Sequence, residues 1–154
     1  MKCKIISISH KPSDWEKKAL DFYLKQIPNN VKLSFAEVKP SASKSTSQDE
    51  TVRNESSEIL LQIDPTAFVI LWDRKGDLIS SESLAKLFQL KIDLSQNINM
   101  IIGGSYGASL EISSKADLVL SASQLTFPHR LFKILLMEQI YRASAINRNH
   151  PYHK

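Results

Sequence analysis

The sequence predicts an α/β protein with a mainly parallel sheet and helices on both faces. The prediction rests on the regular order of the chain, in which short apolar runs typical of strands alternate with stretches of helical pattern. With 154 residues, 42% of them hydrophobic, the chain is long enough for one domain over 1–154 with a full core.

The first part of the chain contains two strand–helix units. Ile5–Ile8 is an apolar strand, and the capping box Ser13–Glu16 begins a helix. The run 31–38 alternates as a second strand, and a second capping box, Ser47–Glu50, begins the next helix. The expected apolar face of the first helix consists of Trp15, Ala19, Phe22, Tyr23 and Ile27. That of the second helix consists of Val52, Ser56, Ile59 and Ile63.

Three further strands follow. The continuous apolar run 67–72 predicts a buried third strand, and Leu84, Leu87 and Phe88 mark a third helix. The run 98–102 predicts the fourth strand, a short helix is expected over about 109–115, and 118–120 predicts the fifth strand.

The last helix, expected over 131–146, is apolar on nearly every side. A helix of this kind is expected to be buried all round, although one docked face is the usual arrangement near a chain end. Insertion through the fold or burial against a second subunit would each cover it.

Three of the four glycines fall within Gly103–Gly107, directly after the fourth strand. Glycine permits sharp turns and close approach of a ligand to the backbone, so this turn is the predicted binding site. The segment lacks the spacing of a dinucleotide fingerprint or a P-loop. It does match the nucleophile elbow G-x-S-x-G, with Ser105, Asp117 and His129 in hydrolase order, and a serine hydrolase is therefore one alternative.

Basic charge is concentrated at the end of the chain. Residues 1–117 carry 15 basic and 15 acidic side chains, whereas 118–154 carry five basic ones against Glu138 alone. A neutral body with a basic end suggests contact with a polyanion on one face. His150 and His153 lack cysteine or carboxylate partners at ligand spacing, so no metal is expected.

The lone cysteine, Cys3, excludes an internal disulfide and favours a reducing, cytoplasmic location. The sequence shows neither a signal-peptide pattern nor an apolar run of membrane-spanning length, and no membrane partner is expected.

Four segments together resemble the bacterial ribosomal RNA large subunit methyltransferase H family: 102–104, 120–129, 138–143 and 149–154. The resemblance covers the whole chain. It implies a SPOUT-type fold with a C-terminal trefoil knot, S-adenosylmethionine as cofactor, and a homodimer with the substrate site at the subunit interface. The implied reaction is methylation of N3 of a pseudouridine in large-subunit (23S) ribosomal RNA, in the free RNA or in the assembled ribosome.

Site residues follow from the same resemblance. Leu125 and Phe127, with Leu71, would sandwich the adenine ring, and the loop backbone would hydrogen-bond it. The implied cofactor-binding residues are Leu71, Gly103, Ala122, Ser123, Gln124, Leu125, Thr126 and Phe127. Where family members are expected to carry leucine before an acidic position, this chain has Trp72.

The implied catalytic residues are His153, Arg142 and Tyr152. His153, or else His129, would take the N3 proton, Arg142 would neutralise phosphate or the imide anion, and Tyr152 would stack on the base. A second alternative is a non-catalytic RNA-binding module that keeps the knot. Cofactor binding with methyl transfer to ribosomes would exclude it.

Overall fold

The computed structural model describes residues 1–43 and 45–153, without the side chain of His153. It confirms the α/β prediction. The strands are β1 (Lys2–Ile8), β2 (Lys32–Val38), β3 (Phe68–Leu78), β4 (Ile98–Ile102) and β5 (Leu118–Ser121). The helices are α1 (Asp14–Leu24), α2 (Gln48–Gln62), α3 (Ser81–Asp93), α4 (Leu110–Lys115) and α5 (His129–Asn147), and a 3-10 turn spans Pro151–His153. The strands form one sheet in the order β2-β1-β4-β3-β5, and each of these pairs is parallel.

Helices cover both faces of the sheet, which explains why its central strands are apolar throughout. Successive side chains of a strand point to opposite faces. On one face Ile70 and Met100 pack with residues of α1, α3 and α5. On the other face Leu71 and Ile101 pack with Ile59 of α2 and with α4. No helix in the described ranges is long and apolar enough to cross a membrane.

The third strand is longer than the sequence predicts. It pairs Trp72 with Leu120, bulges outward over 73–76, and pairs again through Asp77 with the same Leu120. Gly76 permits the return, because a Cβ there would lie 2.6 Å from the carbonyl carbon of Leu120. The sequence predicts the strand only as far as Trp72, because the continuous apolar run ends there.

The expected apolar face of α1 is not buried in this chain, and α5 is buried only in part. Trp15 and Phe22 of α1 are 53% and 61% exposed, because the helix turns Leu20 and the paired Glu16 inward instead. The last helix buries Leu136, Met137 and Ile140, but Leu131 is 41% exposed. Apolar side chains of both α1 and α5 are thus left exposed in the described part of the chain.

Candidate cofactor and substrate site

Three loops meet at the carboxyl edge of the sheet. In the row that ends the central strands, Trp72 of β3 pairs with Ile102 on one side and Leu120 on the other. The chain beyond Ile102 forms the glycine turn, and the chain beyond Leu120 leads into the loop 122–128. The bulge 73–76 follows Trp72 itself. Ligands of open α/β sheets bind outside the carboxyl ends of the strands, so this edge is the candidate site.

The glycine turn is closed by a bond from the Gly107 amide to the Gly104 carbonyl, at 3.0 Å. Gly107 has φ +84°, a conformation that favours glycine. A Cβ on Gly103 would lie 3.3 Å from the Ala108 nitrogen, so a side chain there would crowd the turn. The prediction of a sharp turn at the end of β4 is confirmed.

A buried carboxylate lies directly behind the turn. Glu55 of α2 accepts a hydrogen bond from the Ser41 amide through Oε1, at 3.1 Å, and its Oε2 lies so close to Gly104 that an added Cβ would clash with it. Sequence reasoning missed Glu55, because nothing in a helical pattern shows which loop a buried carboxylate meets.

The loop 122–127 presents most of its residues to solvent. Ser123 Oγ accepts a bond from the Leu125 amide at 2.9 Å, which tightens the loop, and Leu125 is 70% exposed. Phe127 stacks on Phe132 of α5 with ring centroids 6.5 Å apart. Residues Ala122, Gln124, Leu125 and Thr126 are exposed, and Ser123 and Phe127 are half-buried. An exposed loop beside a glycine turn is suited to contact a ligand through its backbone.

Leu71 lies in a different environment from the rest of the predicted cofactor set. Its side chain is enclosed in the core between the sheet and α2. Packing explains this residue without a ligand, and its part in cofactor binding stays a prediction.

Two ion pairs fix the start of α5, where the exposed loop ends. Arg130 pairs with Glu16 at 3.1 Å, and the buried Lys133 pairs with Glu37 at 3.1 Å. Burial alone would raise the pKa of Glu16, but hydrogen bonds from Ser13 outweigh it, with help from both cations, and hold the pKa below its usual value. The pairs join residues distant in sequence, so no local sequence pattern indicates them.

The predicted catalytic residues Arg142 and Tyr152 lie together around Glu138. Glu138 Oε1 accepts from Arg142 Nε at 2.9 Å, Arg142 Nη2 at 2.6 Å and the Tyr152 hydroxyl at 3.1 Å. The Arg142 guanidinium also lies 5.0 Å from the centre of the Tyr152 ring. Burial, with the bond to Glu138, raises the pKa of Tyr152 to about 12, so its hydroxyl stays protonated as a donor.

The tail reaches this cluster by turning back on α5. Asn149 adopts a left-handed conformation with φ 54°, and the His150 amide donates to the Ala145 carbonyl at 2.9 Å, which closes the helix end. Tyr152 then packs on Tyr141 with ring centroids 4.5 Å apart. The predicted role of His153 concerns a side chain outside the part that the structure describes.

Within one chain, the tail cluster and the cofactor loops are far apart. At about 1.5 Å per residue, α5 separates Arg142 from the end of the loop at Pro128 by about 20 Å. The structure brings Arg142 and Tyr152 together and groups Gly103 with the loop 122–127, but it does not join the two groups.

The hydrolase alternative does not survive the geometry. Asp117 precedes β5 at the amino edge of the sheet, where its Oδ2 accepts from the Val69 amide at 2.7 Å. Ser105 and His129 follow the carboxyl ends of β4 and β5 at the opposite edge. The three side chains therefore cannot form the required relay.

Comparison with known proteins gives matches along the whole chain. Residues 1–153 match the family model described as "Predicted SPOUT methyltransferase". The chain is 39% identical over 159 residues to ribosomal RNA large subunit methyltransferase H of Alkaliphilus oremlandii, with both chains fully covered. It is 32% identical over 154 residues to the protein of the same name from Dechloromonas aromatica, covering 100% of this chain and 99% of the relative. These matches confirm the resemblance identified from the sequence motifs.

Proposed function

This chain belongs to the SPOUT methyltransferase family, and on that premise we propose that it methylates large-subunit ribosomal RNA with S-adenosylmethionine as methyl donor. The target that the sequence motifs imply is N3 of a pseudouridine. The trefoil knot that the family implies is part of this proposal, as is a cytoplasmic location. The observation that carries it is the meeting of the glycine turn and the exposed loop 122–127 at the carboxyl edge.

The residues at this edge fit such a cofactor. A side chain at Gly103 would crowd the turn, and the indole Nε1 of Trp72, buried at the end of the neighbouring strand, has no hydrogen-bond partner among the described residues. Gly103 and the loop Ala122–Phe127 would hold the adenosine part through backbone groups and the faces of Leu125 and Phe127. When bound, the cofactor supplies a methyl group already activated on sulfur. The protein then has to align acceptor and donor and exclude water.

The tail supplies groups suited to the RNA side. Arg142 can neutralise a phosphate or the imide anion, and Tyr152 offers an aromatic face for an unstacked base. The N3 proton has to leave, and the candidate bases are His153 and His129. Burial lowers the pKa of His129, so its ring is neutral at pH 7 and able to accept a proton.

A complete site requires a second subunit. The tail of one chain is about 20 Å along α5 from its own cofactor loops, which is too far for Tyr152 to reach a base placed there. The exposed apolar side chains Trp15 and Phe22 of α1 and Leu131 of α5 are available for contact with a two-fold partner. We infer a homodimer in which the tail of one chain completes the site of the other.

The experiment is methyl transfer from labelled cofactor to ribosomes from a strain that lacks the enzyme, with mapping of the modified nucleotide. The expected product is one methylated pseudouridine in the large-subunit RNA, and free RNA assayed in parallel shows which form is the substrate. Ser105→Ala serves as a control that retains activity. Cofactor binding without transfer to either form would instead indicate the non-catalytic RNA-binding module.

A further inference from the structure

Most of the basic charge of the C-terminal segment is matched by carboxylates in the fold. Three of the five basic residues in 118–154 form ion pairs, which are Arg130 with Glu16, Lys133 with Glu37, and Arg142 with Glu138. Lys133 is also only 2% exposed, so no phosphate can reach it. A cation whose charge is balanced by a neighbouring carboxylate attracts a polyanion less than a free cation does. The basic end predicted from the sequence therefore supplies only part of the attraction that RNA binding needs.

A second group of cations lies at the carboxyl edge of the sheet. Lys39 directly follows β2, Lys11 lies three residues beyond β1, and the bulge 73–76 contains Arg74 and Lys75. All four residues are exposed, and none of them forms an ion pair with a described residue. We call these four residues the cationic rim.

The cationic rim flanks the glycine turn on both sides. On one side the turn adjoins the end of β1, because a Cβ on Gly104 would lie 3.5 Å from Ile8 Cγ1. On the other side it adjoins the bulge, because a Cβ on Gly107 would lie 3.9 Å from Asp73 Oδ2. The strands β2, β1, β4 and β3 are neighbours in that order, and adjacent strands lie about 4.8 Å apart, so the rim extends over about 15 Å of the edge. It therefore forms a row of positive charge across the candidate site.

The carboxylates near the cationic rim do not neutralise it. Glu16 and Glu37 are already paired with cations of α5. Asp73 is half-buried and accepts a hydrogen bond from the Lys75 amide through Oδ1, at 2.8 Å. Asp77, the other acid of this strand, lies beyond the bulge, where the strand pairs again with β5. An excess of positive charge remains beside the glycine turn.

We propose that the cationic rim binds phosphates of the RNA on both sides of the target nucleotide, and so holds the backbone while the target base lies over the glycine turn. The inference rests on the proposed function and adds to it a contact surface that the sequence motifs do not indicate. Phosphate contacts fix the register and orientation of a nucleic acid without reading its sequence. A base has to leave its stack before an enzyme can modify it, and a backbone held at several points keeps it in that position.

The charge of the cofactor argues against it as the partner of the cationic rim. S-adenosylmethionine carries a sulfonium and an ammonium group against one carboxylate, so its net charge at pH 7 is positive. Four cations repel such a molecule. RNA carries a negative charge on every phosphate and suits a row of cations of this length.

The test measures how binding to large-subunit RNA, and to ribosomes from a strain that lacks the enzyme, depends on salt. The double variant Arg74→Ala with Lys75→Ala removes two exposed cations of the rim. Each lost phosphate contact reduces the slope of log K against log salt concentration by about 0.7–0.9, so the slope should fall by about 1.5 and binding at about 0.1 M salt should weaken about tenfold. The matched control is Lys32→Ala with Lys115→Ala. It removes the same charge at the opposite edge of the sheet, because Lys32 begins β2 and Lys115 precedes β5.

Calorimetry with S-adenosylhomocysteine separates the cationic rim from the cofactor site. Both double variants should bind this ligand as the unmodified protein does. Equal salt slopes for the rim variant and the control, or a loss of ligand affinity in the rim variant alone, would overturn the inference and leave the proposed function standing. Weaker binding to ribosomes with unchanged binding to free RNA would indicate an acidic ribosomal protein as the partner and would also overturn it. An unmodified protein that neither binds nor methylates the RNA in either form would overturn both.

Discussion

Replacing Gly104 by alanine tests the close contact between the glycine turn and the buried carboxylate of Glu55. The backbone of Gly104 is not left-handed, so alanine meets no conformational strain there. The added methyl would instead meet Glu55 Oε2, with Glu55 Cδ at 3.4 Å and Ile8 Cγ1 at 3.5 Å. The carboxylate therefore has to move and give up its bond from the Ser41 amide.

The expected loss of stability follows from these contacts. The flexible end of Glu55 can move aside, so the cost comes from the lost bond: leaving its buried partners unsatisfied costs about 1–3 kcal/mol. Reduced freedom of the unfolded chain returns about 0.4–1 kcal/mol. A net loss of about 1 kcal/mol is expected, which for a domain of this size lowers Tm by about 2–4 °C. Calorimetric melting at fixed protein concentration measures it.

A double-mutant cycle makes the reasoning refutable. Glu55→Ala vacates the space, so Gly104→Ala should cost at least about 1 kcal/mol less in that background. Gly107→Ala is the matched control, because its cost comes from a left-handed φ, with the nearest atom, Asp73 Oδ2, at 3.9 Å from the added Cβ. Its cost should be independent of Glu55. Unchanged melting of Gly104→Ala, or equal costs in both backgrounds, would refute the proposed contact.

Three further outcomes are expected. Deleting Pro151–Lys154 should lower methyl transfer about a hundredfold with cofactor affinity unchanged, since Tyr152 of this tail packs on Tyr141 and Glu138 of α5. Full activity of the truncated protein would show that the tail is dispensable. Because burial lowers the pKa of His129 below 6.5, the unfolded chain binds the proton more readily. His129 therefore lowers the stability of the fold as the pH falls from about 7 to about 5. The Tm of His129→Gln should decline less over this range than that of the unmodified protein. Parallel curves of Tm against pH for the two proteins would contradict the reasoning. Light scattering at micromolar concentration should show a dimer, whose interface is expected to bury more than about 1,000 Å². The exposed Leu131 is expected in that interface, so Leu131→Glu should dissociate the dimer. A monomeric unmodified protein would refute the dimer.

The local elements were predictable because their signals are local. The run Ile98–Ile102 forms β4 with the predicted bounds, and the capping box of Ser13 with Glu16 begins α1 as expected. The site edge was predictable for the same reason, since the glycine turn directly follows a buried strand. The family was also identifiable, because its motifs are short segments at fixed spacing.

By itself, the sequence determined the order and type of the elements, the position of the glycine turn and the family. Only the tertiary structure placed Glu55 behind Gly104, paired Lys133 with Glu37, 96 residues away, and left Trp72 Nε1 without a partner in the described ranges. Hydrophobic periodicity is a local signal: a pattern over a few neighbouring residues indicates which face of a helix or strand is buried. Which residues meet across the sheet depends on strand order and register, and these are set by packing of the whole core.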